Sequence, residues 1–165
     1  MLIVDDRTVI IGSANINDRS LRGNRDSEIA AYIEPQDMID STMGGKPFKV
    51  SKFAQDLRLK LWRNYLGLDS KDNSILDPVC DAVYKKIWRK TARANSTIYR
   101  YVFQVLPDNI RSESDWKKKE STEPQHTHLL SHIKGFLIEF PGDFMENDEL
   151  PALDKTTVLP KSVFI

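Results

Sequence analysis

The sequence is poor in three features that would each have indicated a particular class of protein. Cys80 is its one cysteine, so an internal disulfide framework is excluded and a reducing compartment is favoured. Lys plus Arg equals Asp plus Glu, 24 each, so the formal net charge is zero and no overall positive field favours nucleic acid. No apolar run approaches the length of a membrane span, and no charged-then-apolar leader opens the chain, so any membrane contact is expected to be peripheral.

The chain has enough apolar residues for a core of ordinary size in one domain of 165 residues, since they make up 40% of it. Short β-branched runs predict two buried strands at 2–4 and 8–11, separated by the polar turn Asp5-Asp6-Arg7, and a third strand at 27–33. After the third predicted strand, the pattern of apolar residues becomes that of helices. We predict a mixed α/β fold, with a β-sheet flanked by helices.

The clearest predicted helix runs to Leu66, with Ser51 as its cap and Gly67 at its end. Its expected apolar face consists of Phe53, Leu57, Leu61 and Tyr65, widened by Trp62 and Leu66. Asp77-Pro78 predicts the start of a second helix, and Asn95-Ser96 the start of a shorter one that Pro107-Asp108 closes.

The rest of the chain predicts less regular structure. Residues 111–124 are charged and indicate a mobile surface loop, whereas 133–140 again has the texture of a strand. The apolar end Val163-Phe164-Ile165 is expected to dock on the protein.

The opening 28 residues carry the most specific pattern. Val4-Asp5-Asp6 precedes Val9-Ile10-Ile11, then come Gly12-Ser13-Ala14-Asn15-Ile16-Asn17-Asp18-Arg19-Ser20 and Arg25-Asp26-Ser27-Glu28. This succession resembles the second catalytic motif of eukaryotic phospholipase D, His-x-Lys-x4-Asp-x6-Gly-Ser-x-Asn. The later helices and a Lys-Gly-Phe-Leu-Ile-Glu-Phe-Pro run look like the carboxy-terminal region of the animal enzymes.

Counting back from Asp5 places Met1 to Val4 in the four-residue spacer of that motif, so its Lys would stand immediately before Met1 and its His two residues earlier. The resemblance therefore implies a partial catalytic domain over 1–165. We expect a motif remnant at 1–34, a region of helices and strands at 48–140 and a tail at 141–165. The chain alone is expected to be inactive, because loss of a catalytic nucleophile or its partner can cost on the order of a millionfold in kcat.

The family's chemistry, as the resemblance implies it, is a phosphodiester cleavage without a metal or other cofactor. One His attacks phosphorus, a second His protonates the leaving alcohol, and Lys and Asn side chains hold the phosphate. Phosphatidylcholine would give phosphatidic acid and choline, or a transphosphatidylation product with a primary alcohol, through a phosphohistidine.

Four residues receive roles in that scheme. Asn15 would donate an amide hydrogen bond to a phosphate oxygen, and Ser13, after a glycine that lets the backbone approach closely, would help to hold the substrate pocket. Glu28 would hydrogen-bond the far nitrogen of the catalytic His. Asp5 would orient the turn after the first strand without transferring a proton. Asp18, Arg19 and Asp26 are expected to organise the following loop through local ion pairs.

The sequence departs from the commonest family residues at Leu21, Arg22 and Asn24, and it ends in Phe164-Ile165 where the family often has Trp-Thr. That last departure leaves the docking of the terminus open.

Other patterns are weaker indicators of function. His126, His128 and His132 have a spacing that could bind a metal, but a solvated or partly packed role is the commoner explanation. A basic helix face at 85–93 and the run Lys117-Lys118-Lys119 beside Trp116 could meet anionic lipid, although a solvated helix face is commoner.

The resemblance also implies partners and a location. The expected partners are the cytosolic surface of a phospholipid membrane, which the protein would contact peripherally, and the remainder of the catalytic domain with its first motif. Small GTPases and phosphoinositides would act through the complete phospholipase D. Nucleic acid would not be a partner. An alternative class is a truncated, non-catalytic product that binds or regulates a full-length phospholipase D. Cardiolipin synthase-like and endonuclease relatives are less consistent with the helical tail and neutral charge.

Overall fold

The computed structural model describes residues 1–103, 109–115, 127–144 and 146–148. Their contacts divide the chain into two units. The first comprises Met1–Asn95 with Ile133–Ile138, and the second comprises Ser96–His132 with Glu139–Ile165. The architecture is mixed α/β, as predicted. Within the described ranges no helix is both long and apolar enough to cross a bilayer.

The first unit begins with a three-stranded antiparallel sheet in the order β1-β2-β3, made of β1 (Leu2–Val4), β2 (Thr8–Gly12) and β3 (Ala30–Ile33). A short helix, α1 (Asp18–Leu21), lies between β2 and β3. All three strands were predicted, but β3 begins at Ala30 rather than at residue 27. The backbone of Ile29 is instead bonded to Ser13.

The prediction that the first two strands are buried is wrong for the chain as described. Val9 is buried, but Leu2, Val4 and Ile11 have 54%, 41% and 47% of their surface exposed. An uninterrupted apolar run is buried on both faces only where other layers cover the sheet on both sides. In the described residues the face that carries Leu2 and Val4 is largely uncovered, and on the Val9 face the end of β2 at Ile11 is uncovered as well.

A second antiparallel pair, β4 (Met38–Met43) and β5 (Lys46–Ser51), was not predicted. Its turn is Gly44-Gly45, and both glycines have positive φ, which suits a tight hairpin. The Asp77 carboxylate accepts hydrogen bonds of 2.8 and 2.7 Å from their two N–H groups. A Gly-Gly pair between alternating residues was the signal available in the sequence.

Helix α2 (Lys52–Leu66) has the predicted caps. The Ser51 side chain accepts a hydrogen bond from the Ala54 N–H, and Gly67 closes the helix in the left-handed conformation. The predicted apolar face is only partly the inward one, since Leu66 is buried and Trp62 packs on the core, but Phe53 is 45% exposed. The side that faces inward carries Ala54, Gln55, Arg58, Leu59 and Leu66.

The second long helical segment is made of α3 (Asp81–Val83), a π-helical turn (Tyr84–Trp88) and α4 (Arg89–Phe103). Its start differs from the prediction. Cys80 is the N-cap, while Asp77 accepts from Val79 N–H and from the hairpin turn. Asn95 does not restart a helix, because it is a buried residue inside α4.

Residues 133–140 form no strand, contrary to the prediction. Polar groups of this segment are bonded to helices instead. The Asn95 amide donates to the carbonyls of Lys134 and Leu137 and accepts from the Lys134 N–H, and the Phe136 N–H donates to the Tyr65 carbonyl. These bonds satisfy several backbone groups of the segment without a neighbouring strand.

The core of the first unit is a cluster of buried apolar side chains from the helices and the loop after α2, namely Leu59, Leu66, Ile75 and Val83. Trp62 and Trp88 pack against it, with ring centroids 4.5 Å apart. This cluster holds α2 and the π-helical turn together.

In the second unit, Arg111 bonds to Asp143 at 3.2 Å and to Glu146 at 3.5 Å, and Val102 and Ile110 are buried. Residues 111–115 of the predicted loop are described and include a short helical turn, and a 3-10 helix covers Thr127–His132. The predicted helix end at Pro107-Asp108, the lysine run at 117–119 and the apolar terminus at 163–165 lie outside the described residues.

Candidate functional site

Most of the site residues predicted from the sequence lie at the end of strand β2 and in the loop after it. Gly12 allows a close approach of the two strands, because a Cβ at this position would lie 2.4 Å from the Ile29 carbonyl oxygen. That part of the sequence prediction is confirmed. The Ser13 N–H then donates to the Ile29 carbonyl at 3.0 Å, and the Ile29 N–H donates to the Ser13 hydroxyl oxygen at 3.2 Å. Ser13 is therefore fixed at both its backbone and its side chain.

Ser13 and Glu28 are brought into direct contact. The Ser13 hydroxyl donates to Glu28 Oε2 at 2.5 Å. This hydrogen bond, followed by one from the Ser20 side chain, lowers the pKa of the Glu28 carboxyl below its ordinary value, because both donors stabilise the carboxylate. Glu28 is consequently an oriented anion that can accept a further hydrogen bond from a cationic or neutral donor.

Asn15 lies in the loop that leads from Ser13 into α1. Its N–H donates to the Ser20 hydroxyl oxygen at 3.0 Å, and the Asn17 side chain caps α1 by accepting from the Ser20 N–H at 2.9 Å. Ser20 thus connects the backbone at Asn15 to the Glu28 carboxylate. The Asn15 residue itself is exposed, so its amide is accessible to a ligand.

Ser20 received no role from the sequence, although it was part of the matched pattern. Its position in the first helical turn after an Asn cap was the signal that its backbone and side chain would be held in place. Three groups of the site, the Ser13 hydroxyl, the Ser20 hydroxyl and the Glu28 carboxylate, therefore form one hydrogen-bonded cluster.

Local ion pairs organise this loop, as predicted. Arg19 bonds to Asp26 at 3.0 Å, and Arg22 bonds to Asp18 at 3.3 Å. The four side chains are between 39% and 77% exposed, so each pair contributes little free energy of folding. Their effect is to restrict the conformations of the segment that links Asn15 to Glu28.

Asp5 is not part of this cluster. It lies in the turn before β2, whereas Ser13 follows the same strand, so the five residues of β2 separate them. Asp5 and Asp6 both have positive φ, of 52° and 50°, within a turn closed by the Arg7 N–H on the Val4 carbonyl. Asp tolerates this left-handed conformation better than most residues. The sequence assigned a turn-orienting role to Asp5, and it did not identify its neighbour Asp6 as a buried residue.

The described part of the chain does not support a metal site at the three histidines. His128 and His132 are exposed on the 3-10 helix, and His126 lies outside the described residues. Among the residues that the structure describes, no group of three or more His, Cys, Asp or Glu side chains could hold a metal ion.

Comparison with known proteins gives a consistent result. The family model "Phospholipase D" matches residues 1–110. The chain is 43% identical over 180 residues to Phospholipase D zeta 1 of Arabidopsis thaliana, with 91% of this chain covered, and 49% identical over 146 residues to Phospholipase D B of Dictyostelium discoideum, with 87% covered. It is 40% identical over 175 residues to Phospholipase D1 of Homo sapiens, with 99% covered. The chain spans 16%, 12% and 16% of the lengths of these three relatives.

Proposed function

Because this chain belongs to the phospholipase D family, we propose that it is the carboxy-terminal part of a longer phospholipase D, called the parent protein below. The parent protein would hydrolyse phosphatidylcholine to phosphatidic acid and choline, or transfer the phosphatidyl group to a primary alcohol. The relatives are far longer than the part of them that this chain matches, which supports a share in a larger catalytic domain.

The register of the first hairpin is the observation that carries the proposal. Leu2 lies opposite Ile10, and Ile3 opposite Val9. A strand that continued β1 upstream in this antiparallel register would place the residue before Met1 opposite Gly12, the last residue of β2, and the residue two positions earlier just beyond the end of β2. These are the positions that the family motif gives to its Lys and His. The His would thus lie near the end of β2, where Ser13 contacts Glu28.

The proposed reaction proceeds in two displacements. A His nitrogen attacks phosphorus, the phosphorus–oxygen bond to choline breaks, and a second His donates a proton to the choline oxygen. Water then attacks the phosphohistidine, gives its proton to the second His, and phosphatidic acid leaves. Both His residues belong to the parent protein outside this chain.

This chain contributes groups that stabilise charge and orient the reacting parts. The Asn15 amide would donate to a non-bridging phosphate oxygen, and Ser13 would hold the pocket wall and the Glu28 carboxylate. Glu28 would accept from the far nitrogen of the upstream His, which fixes its tautomer and stabilises the imidazolium. Asp5 would orient the turn at the other end of β2.

The bare face of the first sheet supports a partner within the same polypeptide. Leu2, Ile10 and Tyr32 lie in one cross-strand row, and Leu2 and Tyr32 are 54% and 64% exposed. We propose that the remainder of the catalytic domain covers this row. The protein would then act at the cytosolic face of a membrane, which it contacts peripherally. A regulatory product that starts at Met1 and uses the same face to bind a full-length enzyme is the second candidate.

The decisive experiment compares Glu28→Gln with Glu34→Gln in the parent protein. Glu34 is an exposed carboxylate that follows β3, so it controls for the change of charge. We expect Glu28→Gln to lower kcat far more than it weakens binding to phosphatidylcholine vesicles, and Glu34→Gln to leave both unchanged. Wild-type turnover in Glu28→Gln would remove Glu28 from the mechanism. Sequencing the transcript upstream of Met1 separates the two candidates, since an in-frame stop codon there favours the regulatory product.

A further inference from the structure

We propose that the exposed basic face of the π-helical turn and the start of α4 is a docking surface for anionic phospholipid in a bilayer. This basic face consists of Lys85, Lys86, Arg89, Lys90 and Arg93, all exposed. With Ala94, they line an open concavity of about 690 Å³ on the first unit. The proposal rests on the proposed function only in its choice of ligand, a membrane lipid.

The charge of this segment differs sharply from that of the whole chain. The protein has zero formal net charge, yet residues 82–107 contain six Lys and Arg residues and no Asp or Glu. Asp81 pairs with Lys85 at 2.7 Å, at one end of the basic face. A solvated helix face in a neutral protein usually mixes both signs of charge, whereas this one presents a single sign over more than two helical turns.

The basic face is held in a fixed position from behind. Val83 and Ala92 on the opposite side are buried, and Ile87 and Trp88 pack on the core cluster. One turn further on, the buried Asn95 amide binds the backbone of Lys134 and Leu137. The cations therefore project from a rigid support, so that fewer backbone conformations are lost when they meet a surface.

The π-helical turn adds a local irregularity at the basic face. The Arg89 N–H donates to the Tyr84 carbonyl, five residues back, in place of the usual four-residue spacing. Such single π turns occur frequently at functional sites. Here the wider turn contains Lys85 and Lys86, and Arg89 follows it directly.

Apolar side chains beside the face favour a bilayer over a nucleic acid. Tyr84 is 51% exposed immediately before Lys85, and Val79 is 59% exposed in the preceding turn. Tyr is enriched at membrane interfaces, where its ring reaches the acyl boundary and its hydroxyl stays hydrated. Cations together with an exposed aromatic ring suit an anionic headgroup layer, because each basic residue near such a surface adds to the attraction.

The test uses the parent protein with Lys86, Arg89, Lys90 and Arg93 changed to Gln. A matched control changes Lys46, Lys49, Lys60 and Lys71 to Gln, which removes the same charge from exposed positions elsewhere in the first unit. Gln preserves helix propensity, and circular dichroism verifies the fold of each variant. Binding is measured by co-sedimentation with vesicles of phosphatidylcholine alone and with phosphatidylserine added.

We expect the basic-face variant to bind the phosphatidylserine vesicles roughly tenfold or more weakly than wild type, and the control to bind them like wild type. Binding to pure phosphatidylcholine vesicles should be the same for all three proteins, and added salt should weaken only the phosphatidylserine-dependent part. Equal binding of the two variants to phosphatidylserine vesicles would overturn the proposal. A single-stranded RNA that bound wild type more tightly than the vesicles did, and lost that binding in the basic-face variant, would also overturn it.

Turnover of monomeric, short-chain phosphatidylcholine separates this proposal from the proposed function. The basic-face variant should hydrolyse the monomer at the wild-type rate, because the basic face holds no part of the proposed catalytic machinery. If wild type failed to hydrolyse the monomer, the proposed function would fail while the vesicle result still decided the docking surface.

Discussion

Asp6 and Arg58 form a buried, bidentate ion pair that joins the first turn of the chain to helix α2. Arg58 Nε donates to Asp6 Oδ1 at 2.7 Å, and Arg58 Nη2 donates to Asp6 Oδ2 at 2.8 Å. The two side chains are 2% and 6% exposed. The guanidinium also donates to the carbonyls of Ile75 and Leu76, each at 2.8 Å. One buried cation therefore fixes three segments of the first unit.

We expect removal of either partner to destabilise the parent protein by roughly 3–5 kcal/mol, because the other charge stays buried without compensation. Asp6→Asn and Arg58→Met test the two sides, and the thermal midpoint of the parent protein is the measurement. Arg58→Lys should not rescue stability, since an ammonium group cannot reproduce the bidentate geometry.

The control for this ion pair is Lys49→Ala, which breaks an exposed pair with Asp40 at 3.0 Å. Its side chains are 65% and 89% exposed, so we expect a change within about 1 kcal/mol. Equal losses from the exposed pair and the buried pair would show that the Asp6–Arg58 bond does not hold the turn on α2.

The same arginine explains why the extent of α2 was predicted correctly but its inward face only in part. The caps at Ser51 and Gly67 are local signals, so they could be read directly. The inward face depends on Arg58, whose type normally indicates solvent. Its partner Asp6 is 52 residues away in the chain, and periodicity alone cannot reveal that pairing.

The contact between Gly67 and Gly135 could also not be predicted from local sequence patterns. The stretch around Gly135 has the apolar, β-branched texture of a strand, yet Gly135 has a φ of 60° and lies against the end of α2. Two glycines distant in sequence pack backbone to backbone there, and only the tertiary fold shows that they do.

We predict that Gly135→Ala destabilises the parent protein by at least about 1 kcal/mol, and more where the backbone cannot shift. A Cβ at this position would lie 2.2 Å from the Tyr65 carbonyl oxygen, in addition to the cost of positive φ. Gly23→Ala is the control, because a Cβ there meets nothing within 4 Å. Thermal midpoints of the two variants give the comparison, and a neutral Gly135→Ala would show that this close approach is absent.

The candidate site was predictable to a larger extent, for a different reason. The site residues Gly12, Ser13 and Glu28 belong to one short segment, in which a single hairpin-like connection brings residues 13 and 28 together. The family motif covers this segment, so it specifies their geometry. Ser20 was missed because its role depends on the Asn17 cap, which orients the loop as a whole. The rest of the proposed site, beyond the end of β2, would come from residues that we propose precede Met1.

The lowered pKa of Glu28 predicts how the site responds to acid. A carboxyl whose pKa is lower in the folded state than in the unfolded state stabilises the fold. This contribution is complete at a pH above the pKa of the unfolded state, and it is lost as the pH falls through the pKa of the folded state. Since Ser13 is the largest cause of the lowering, Ser13→Ala should raise the pKa of Glu28 toward its ordinary range.

The measurement for this prediction is the pH dependence of kcat/KM in the parent protein, and in particular its acid limb, where kcat/KM falls at low pH. We expect the limb to move to higher pH in Ser13→Ala, because Glu28 would be protonated at a higher pH. Ser27→Ala, at an exposed neighbouring position, should leave the limb where it is in wild type. An acid limb that stayed in place in both variants would mean that Ser13 does not set the ionisation of Glu28.

The exposed row on the first sheet leads to a final prediction, about the 165-residue chain by itself. Leu2 and Tyr32 are 54% and 64% exposed on the same sheet face as Ile10, and a sheet with one uncovered apolar face lacks the second layer that stabilises a domain. We expect the purified chain to bind a hydrophobic dye and to unfold over a broad range of temperature, whereas the parent protein shows a distinct transition. Calorimetry and near-ultraviolet circular dichroism make the comparison. A sharp, cooperative transition of the chain alone would mean that its core is sufficient without a covering lobe, and the regulatory product would then become the better explanation.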